Sequence, residues 1–305
     1  MKKQRLDYKE KIDKIIQAIG ISRSGLARRL EVSYKTVYRW IDKGVLPHRT
    51  KLREINQLFK QYVDLKDIVL QLRQEAEDPI KILKTNKAIR DRFVLDLTYH
   101  SNAIEGNHMT LKEVEMSFGG GRIRDKEASD ALEAVNHKKA LEFLLDNVKS
   151  DFKINQEYIL NLHKIIMHKF NDQLPGEYRT GGVNLPDVMK PLPLASDLPS
   201  RMNEFIKNIN SYQKDVVNKI AHDHYQFEAI HPFFDGNGRV GRLIAITQSL
   251  SKGFAPVIIR VDDRKKYYLA LGKADLGNYE NIIEMIYQGL VRGYQLLRAD
   301  NFKET

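Results

Sequence analysis

The sequence predicts an all-α protein in two parts, a small basic helical module followed by a larger, electrically balanced helical body. Three observations carry this. Apolar residues recur at helical spacing along most of the chain, the excess positive charge is gathered at one end, and a long stretch rich in Pro and Gly interrupts the pattern at 174–194. The 305 residues suit about two domains of roughly 150 residues each. No run reaches the ~18 uncharged apolar residues needed to cross a bilayer. The charged start Met1-Lys2-Lys3-Gln4-Arg5 leads into no signal-peptide core, so a cytoplasmic protein without a membrane partner is expected. The chain has no cysteine, which removes disulfides, thiolate catalysis, Cys-ligated zinc and iron–sulfur clusters from consideration.

Charge separates the two parts. Residues 1–60 hold 16 Lys and Arg against 6 Asp and Glu, which is the whole net +10 of the chain, and the remainder cancels at 34 and 34. A basic module for a polyanion is one reading, a solvated basic tail the other. Periodicity argues against a tail. Ile12, Ile15, Ile16 and Ile19 fall on one helical face and Gly20 suits a helix end. Ser22 and Ser24 can cap a second helix, Ser24 to Leu30. After Glu31-Val32-Ser33 a third helix runs from Tyr34 to about Asp42, with Ser33 as its cap. Leu26, Leu30, Val32, Val37 and Ile41 would form a small core, Trp40 would pack with it, and Ala27 is small where two helices cross. This resembles the helix-turn-helix domains of bacterial regulators over residues ~20–45. It implies that Tyr34, Lys35, Thr36, Tyr38 and Arg39 of the third helix face DNA. One departure matters: Glu31 stands where the turn usually has Gly, so a left-handed non-glycine residue or a different turn is required. A protein-contacting module remains the alternative. The module is assigned to 1–60, a helical linker to 61–80 and the body to 81–300, with Asp78-Pro79 breaking the connecting helices.

In the body, helical segments are expected at Asp125–Val148, Asn155–Phe170, Leu198–Ile209, Asp215–Ile230, Arg239–Leu250, Lys265–Ala274 and Asn278–Leu297. Within Leu174–Leu194, Arg179-Thr-Gly-Gly-Val-Asn-Leu could be a short hairpin arm or part of a long surface loop. The densest chemistry is His231-Pro-Phe-Phe-Asp-Gly-Asn-Gly-Arg-Val-Gly-Arg242. Pro232 stops the preceding helix, and Asp235–Gly238 is a glycine loop feeding a helix N-terminus, a ready site for phosphate. Arg239 and Arg242, three apart, lie on one side of the first turn of that helix and are expected to point toward the same place. Two cations there oppose the helix dipole, so stability does not explain them, whereas a bound anion does. His231 can accept a proton near neutral pH, and Asp235 can hold a hard cation such as Mg²⁺. Base, carboxylate, anion loop and arginine pair are the parts of a phosphoryl or nucleotidyl transfer. Each has a plain structural alternative, but four within twelve residues are poorly explained by chance. The string Gly236-Asn-Gly-Arg-Val-Gly241 also matches a dinucleotide fingerprint, yet no strand precedes it. His222, Asp223 and His224 make a weak zinc set, because i and i+2 diverge on a helix.

His231 to Arg242 matches, at every defined position, the Fic-family signature H-P-F-x-[D/E]-G-N-G-R-x-x-R, and His224-Tyr-Gln-Phe-Glu-Ala-Ile before it is similar to that family too. The resemblance implies a Fic helical bundle over roughly 80–300 that transfers AMP from ATP to a Ser, Thr or Tyr hydroxyl of a protein. His231 would then be the catalytic base and Asp235 the Mg²⁺ ligand. Gly236, Asn237 and Gly238 would form the anion pocket, Arg239 would meet the inner phosphates and Arg242 the γ-phosphate, while Phe233 anchors the loop. The segment around Arg179–Leu194, including Arg179, Thr180, Gly181, Gly182, Val183 and Asn184, resembles the family's β-hairpin flap. Far upstream, Ser101-Asn-Ala-Ile-Glu105-Gly106 resembles the family's inhibitory motif [S/T]-x-x-x-E-[G/N]. A helix ending at Gly106 can aim Glu105 at Arg242, in the place of the γ-phosphate. Three readings therefore stand: an autoinhibited adenylyltransferase, an enzyme that also removes AMP, and a DNA-binding regulator using the site as a nucleotide sensor. The intact His231 favours an enzyme. Expected partners are ATP, a hydroxyl-bearing protein (the chain itself included) and DNA; a homodimer stays open.

Overall fold

The computed structural model describes residues 8–19, 21–62, 65–120, 128–183 and 191–298. Among them the chain forms fifteen α-helices, three short 3₁₀ turns and no strand. It divides into two compact units, Met1–Gln71 and Leu72–Thr305.

The first unit contains α1 (Tyr8–Ile19), α2 (Arg23–Arg29), α3 (Tyr34–Ile41), α4 (Arg49–Tyr62) and the start of α5 (Leu65–Glu75). Its core joins Ile12 and Ile15 of α1 to Leu26, Ala27, Leu30, Val37, Trp40, Ile55 and Phe59, with Val32 and Ile41 partly buried against it. Ser22 accepts from the Gly25 N–H and Ser33 from the Thr36 N–H, so both helices of the turn motif start on a serine cap. Glu31 takes the left-handed conformation, φ +52°. The Val32 N–H reaches back to the Ala27 carbonyl at 2.9 Å, and this closing bond helps hold a residue that sterics disfavour there. Tyr34, Lys35, Tyr38 and Arg39 are exposed on α3, whereas Thr36 is half-buried with its hydroxyl 2.8 Å from Ser33 Oγ.

The second unit contains α6 (Pro79–Thr85), α7 (Lys87–Ile104), α8 (Leu111–Phe118), α9 (Ala128–Asn147), α10 (Gln156–Ile166), α11 (Leu198–Ile209), α12 (Val216–Ile230), α13 (Asn237–Ser251), α14 (Arg264–Asp275) and α15 (Glu280–Leu297). At its centre is α13, whose residues are buried on every face except at Gly238. A helix enclosed on all sides needs neighbours all round, and α12, α10, α9 and α7 supply them.

Among the described residues, the hairpin expected between Arg179 and Leu194 is not seen. Residues 179–183 and 191–194 are irregular, and Asn184 lies outside the described residues. Arg179 ties the described part of the segment together. Its backbone N–H donates to the Pro232 carbonyl, and its guanidinium donates to the carbonyls of His231, Gly181 and Pro193 at 2.9, 2.8 and 2.6 Å. The described stretches on either side of 184–190 are thus gathered by one buried side chain.

Candidate functional site

The site grows from the junction of α12 and α13. Asp215 caps the start of α12, and its end is closed by His231 in the left-handed conformation (φ +50°, ψ +61°), with the His231 N–H on the Phe227 carbonyl at 3.0 Å. Pro232 has no N–H with which to continue the helix. The loop that follows is held from three directions. Phe233 is fully buried and its ring stacks on His163 of α10 at 3.7 Å and 4°. His163 Nδ1 accepts from the Gly176 N–H at 3.0 Å, so Nε2 carries the proton and donates to the Asp235 carbonyl at 3.1 Å. Burial pushes this histidine down to about 4, which keeps it neutral and the tautomer fixed. Asn237 closes the loop on itself, accepting from the Phe233 N–H at 3.0 Å and donating to the Phe233 carbonyl at 2.9 Å. Its side chain is thus engaged with the loop, and its backbone N–H lies at the start of α13.

Gly236 has φ +79°, a conformation open to glycine. It turns the chain into α13, whose first-turn N–H groups lack intrahelical partners. The chain's own carboxylate is at this spot: a Cβ on Gly238 would overlap Glu105 Oε1. Glu105 is the C-cap of α7, and its Oε1 lies 2.8 Å from Arg242 Nη2. Arg242 also donates from Nε to Ser101 Oγ at 3.0 Å and from Nη2 to the Ser101 carbonyl at 2.9 Å. Burial works against a charge on Arg242, yet Glu105, Tyr267 and Glu228 around it hold its pKa above the ordinary guanidinium value. The end of α7 is fixed in turn from α14, where Arg264 Nε donates to the Ile104 carbonyl at 2.6 Å and Tyr268 Oη to Glu105 Oε2 at 3.4 Å.

The two arginines diverge. Arg242 faces α7, while Arg239 faces α9, donating from Nη1 to Glu133 Oε1 at 2.8 Å and from Nη2 to Asp235 Oδ2 at 3.1 Å. Only 2% of the Arg239 side chain is exposed, against 54% of Asp235. Burial lowers the pKa of His231, with the Glu228 carbonyl one turn back working in the other direction. The loop bearing it is braced by Arg179 through the His231 and Pro232 carbonyls. Sequence reasoning missed His163, Glu133 and Glu228. Burial lifts the Glu228 carboxyl to about 7, Arg242 pulling the other way and the like charge of Glu105 adding to the rise. Its Oε1 accepts from Tyr267 Oη at 3.4 Å, and His224 is engaged with the same phenol at 2.9 Å. His222 instead stacks on Tyr279 at 4.0 Å.

Residues 153–249, which hold the loop and both arginines, match the Fic/DOC family. The chain carries a Fic domain. Residues 10–56 match the bacteriophage CI repressor helix-turn-helix domain. A relative from Nematostella vectensis named protein adenylyltransferase Fic is 30% identical over 262 residues, covering 81% of this chain and 58% of that protein. A Drosophila melanogaster protein of the same name is 32% identical over 192 residues, covering 62% of this chain and 39% of its own. The chain thus spans well under two thirds of the length of these relatives. Among solved structures, Fic-1 (residues 134–508) from C. elegans superposes with TM-score 0.68 at 20% identity, over 95% of this chain and 97% of that one. A Fic domain containing signaling protein from Bacteroides thetaiotaomicron gives 0.67 at 20%, over 78% and 97%. At such identity these two structures speak to fold alone. Ser101, Glu105 and Glu133, which contact the Fic domain's arginines, lie upstream of the matched segment.

Proposed function

We propose that this chain transfers AMP from ATP to a protein hydroxyl, and that Glu105 holds the reaction off by sitting where the γ-phosphate would bind. The observation that carries the reading is the Glu105 carboxylate on Arg242 at the start of α13, an anion of the chain's own in an anion's place. The relatives' name gives the nucleotide chemistry. Arg242 would receive the γ-phosphate once Glu105 leaves, Arg239 the inner phosphates, and the first-turn N–H groups of α13 the remaining oxygens. A substrate hydroxyl oxygen then attacks the α-phosphorus and its proton passes to His231. The bond from that phosphorus to the bridging oxygen breaks, and pyrophosphate leaves with the electron pair. A base must be neutral to accept, and the burial that lowers the pKa of His231 favours that form.

Mg²⁺ suits the residues present. Asp235 offers one half-exposed carboxylate beside the phosphate-binding turn, and one carboxylate plus phosphate oxygens is the donor set this ion prefers. Asp235 would hold it; when bound, the ion neutralises charge spread over the phosphates. The test is incorporation of labelled AMP from ATP by the unmutated chain, by Glu105→Gly, and by Glu105→Gly with His231→Ala. The first should be low and the second raised. The third should return to background, because the hydroxyl then has no acceptor for its proton.

For the N-terminal unit we propose DNA binding through α3, supported by exposed Lys35 and Arg39 among Tyr34 and Tyr38 on a serine-capped helix. A gel-shift titration against random duplex at rising salt tests it, as set out below.

A further inference from the structure

The unassigned residue with the most specific contacts is Glu133 of α9. Its two oxygens serve different masters: Oε1 accepts from Arg239 Nη1 at 2.8 Å, and Oε2 accepts from Asn107 Nδ2 at 2.9 Å. Asn107 follows Glu105-Gly106 directly, and its amide also donates to the Asp130 carbonyl at 3.0 Å. Arg239 is buried and needs counter-charge, which it draws from two carboxylates at once, Glu133 on Nη1 and Asp235 on Nη2. Asp235 accepts from Arg239 on Oδ2 and from the Gly236 N–H on Oδ1, and charge shared with Arg239 is charge less available to a cation. Glu133 is therefore the counter-charge that lets Asp235 let go.

We propose that Glu133 is a positioning residue that sets how tightly Arg239 grips Asp235, and that Asn107 adjusts this grip from the segment bearing Glu105. The proposal rests on the nucleotide-binding reading above. With Glu133 neutralised, the charge of Arg239 falls to Asp235 alone and the pair tightens. With the Asn107 amide removed, the second oxygen of Glu133 is released toward Arg239, a fork that can take a carboxylate with two parallel bonds. Asp235 is then loosened. The two changes push in opposite directions, which a merely structural role for either residue does not produce.

The experiment measures ATP affinity of the full chain by calorimetric titration, with Mg²⁺ and with Mg²⁺ removed by chelator. It uses the Glu105→Gly background, so that the carboxylate does not mask binding. The quantity read is the factor by which Mg²⁺ tightens ATP. Glu133→Gln should cut that factor about fivefold and Asn107→Ala should raise it about twofold, within the usual coupling between touching groups. Glu133→Asp, which keeps the charge, should recover part of the loss. Melting curves establish that each variant is folded; if Glu133→Gln is not, the Asn107→Ala arm decides alone, a rise supporting the proposal and its absence overturning it. Shifts in the same direction, or an unchanged factor in both variants, overturn it as well. If the Glu105→Gly parent binds no ATP, the nucleotide reading itself fails and takes the proposal with it. If the factor shifts as stated but no variant transfers AMP, the proposal stands and the catalytic reading falls.

Discussion

Replacing Glu105 by glycine removes its ion pair with Arg242 at the start of α13, and the geometry gives the size of the effect. At 2.8 Å and an effective dielectric constant of about 20, two unit charges attract by roughly 6 kcal/mol. Glu105 retains 28% exposure and Arg242 only 6%, so solvent and desolvation return much of this. A coupling of about 1.5–3 kcal/mol is a reasonable remainder. An ATP phosphate must displace that coupling in the unmutated chain and need not in Glu105→Gly. The variant should therefore bind ATP ~10- to 150-fold more tightly, read by titration, with a matching rise in labelled AMP transfer at limiting ATP. The same change leaves Arg242 facing Ser101 and Glu228 without its ion-pair partner. The unliganded variant should melt a few degrees lower, at about 2–4 °C per kcal/mol for a unit of this size, and saturating ATP should restore more than the lost interval. Glu105→Gln is the control for charge: it keeps the side chain's bulk over Gly238 but not the ion pair, and should give most of the gain. If Glu105→Gly is folded and its ATP affinity is unchanged, the carboxylate is no competitor and the account of the site is wrong. If Glu105→Gln stays fully inhibited while Glu105→Gly is released, obstruction rather than charge is the cause.

Three further outcomes are expected. Arg179→Met should lower transfer at least tenfold in the Glu105→Gly background with little change in ATP affinity, because it unbraces the His231 loop and leaves the phosphate-binding turn in place; an unchanged turnover number would refute the bracing role. Stability should fall in acid earlier than carboxylate titration predicts. Burial holds His137 at about 3 and His163 and His224 at about 4 in the fold, below the unfolded value near 6.5. The unfolded chain thus binds more protons between pH 6.5 and 4, and stability is lost as pH falls through that window, by up to about 3 kcal/mol per histidine; denaturant midpoints that stay flat from pH 7 to 5 would contradict it. For the N-terminal unit, binding to random duplex should weaken steeply with salt, and Arg39→Ala should flatten the slope by about one unit; binding indifferent to salt would remove α3 from the phosphate backbone.

Local features of the sequence were readable. The serine caps, the Ile12–Ile15 face and the Glu31 turn all follow from rules that act over a few residues, and the helical segments of the body lie within a few residues of their expected bounds. The Asp235–Gly238 loop was legible for the same reason, since everything needed to see it is contiguous. What was hidden is what depends on packing between distant segments. Glu133 reads as one acidic residue among many on an amphipathic helix until α9 is laid against α13. His163 is an ordinary buried position of α10 until Phe233 stacks on it. Asn237 looked like an anion ligand, but its side chain is taken by the backbone of Phe233 four residues earlier, a closure no spacing rule announces. The hairpin is not seen among the described residues: Pro- and Gly-rich spacing specifies a turn without specifying a pairing partner, and there Arg179 ties the stretches on either side together.

The clearance over Gly238 makes two positions far apart in the chain depend on each other. With Glu105 in place, a side chain at 238 would push its carboxylate away from Arg242; without the glutamate that clash is gone. A substitution at 238 that is harmless once Glu105 is removed should therefore disturb the chain that keeps it.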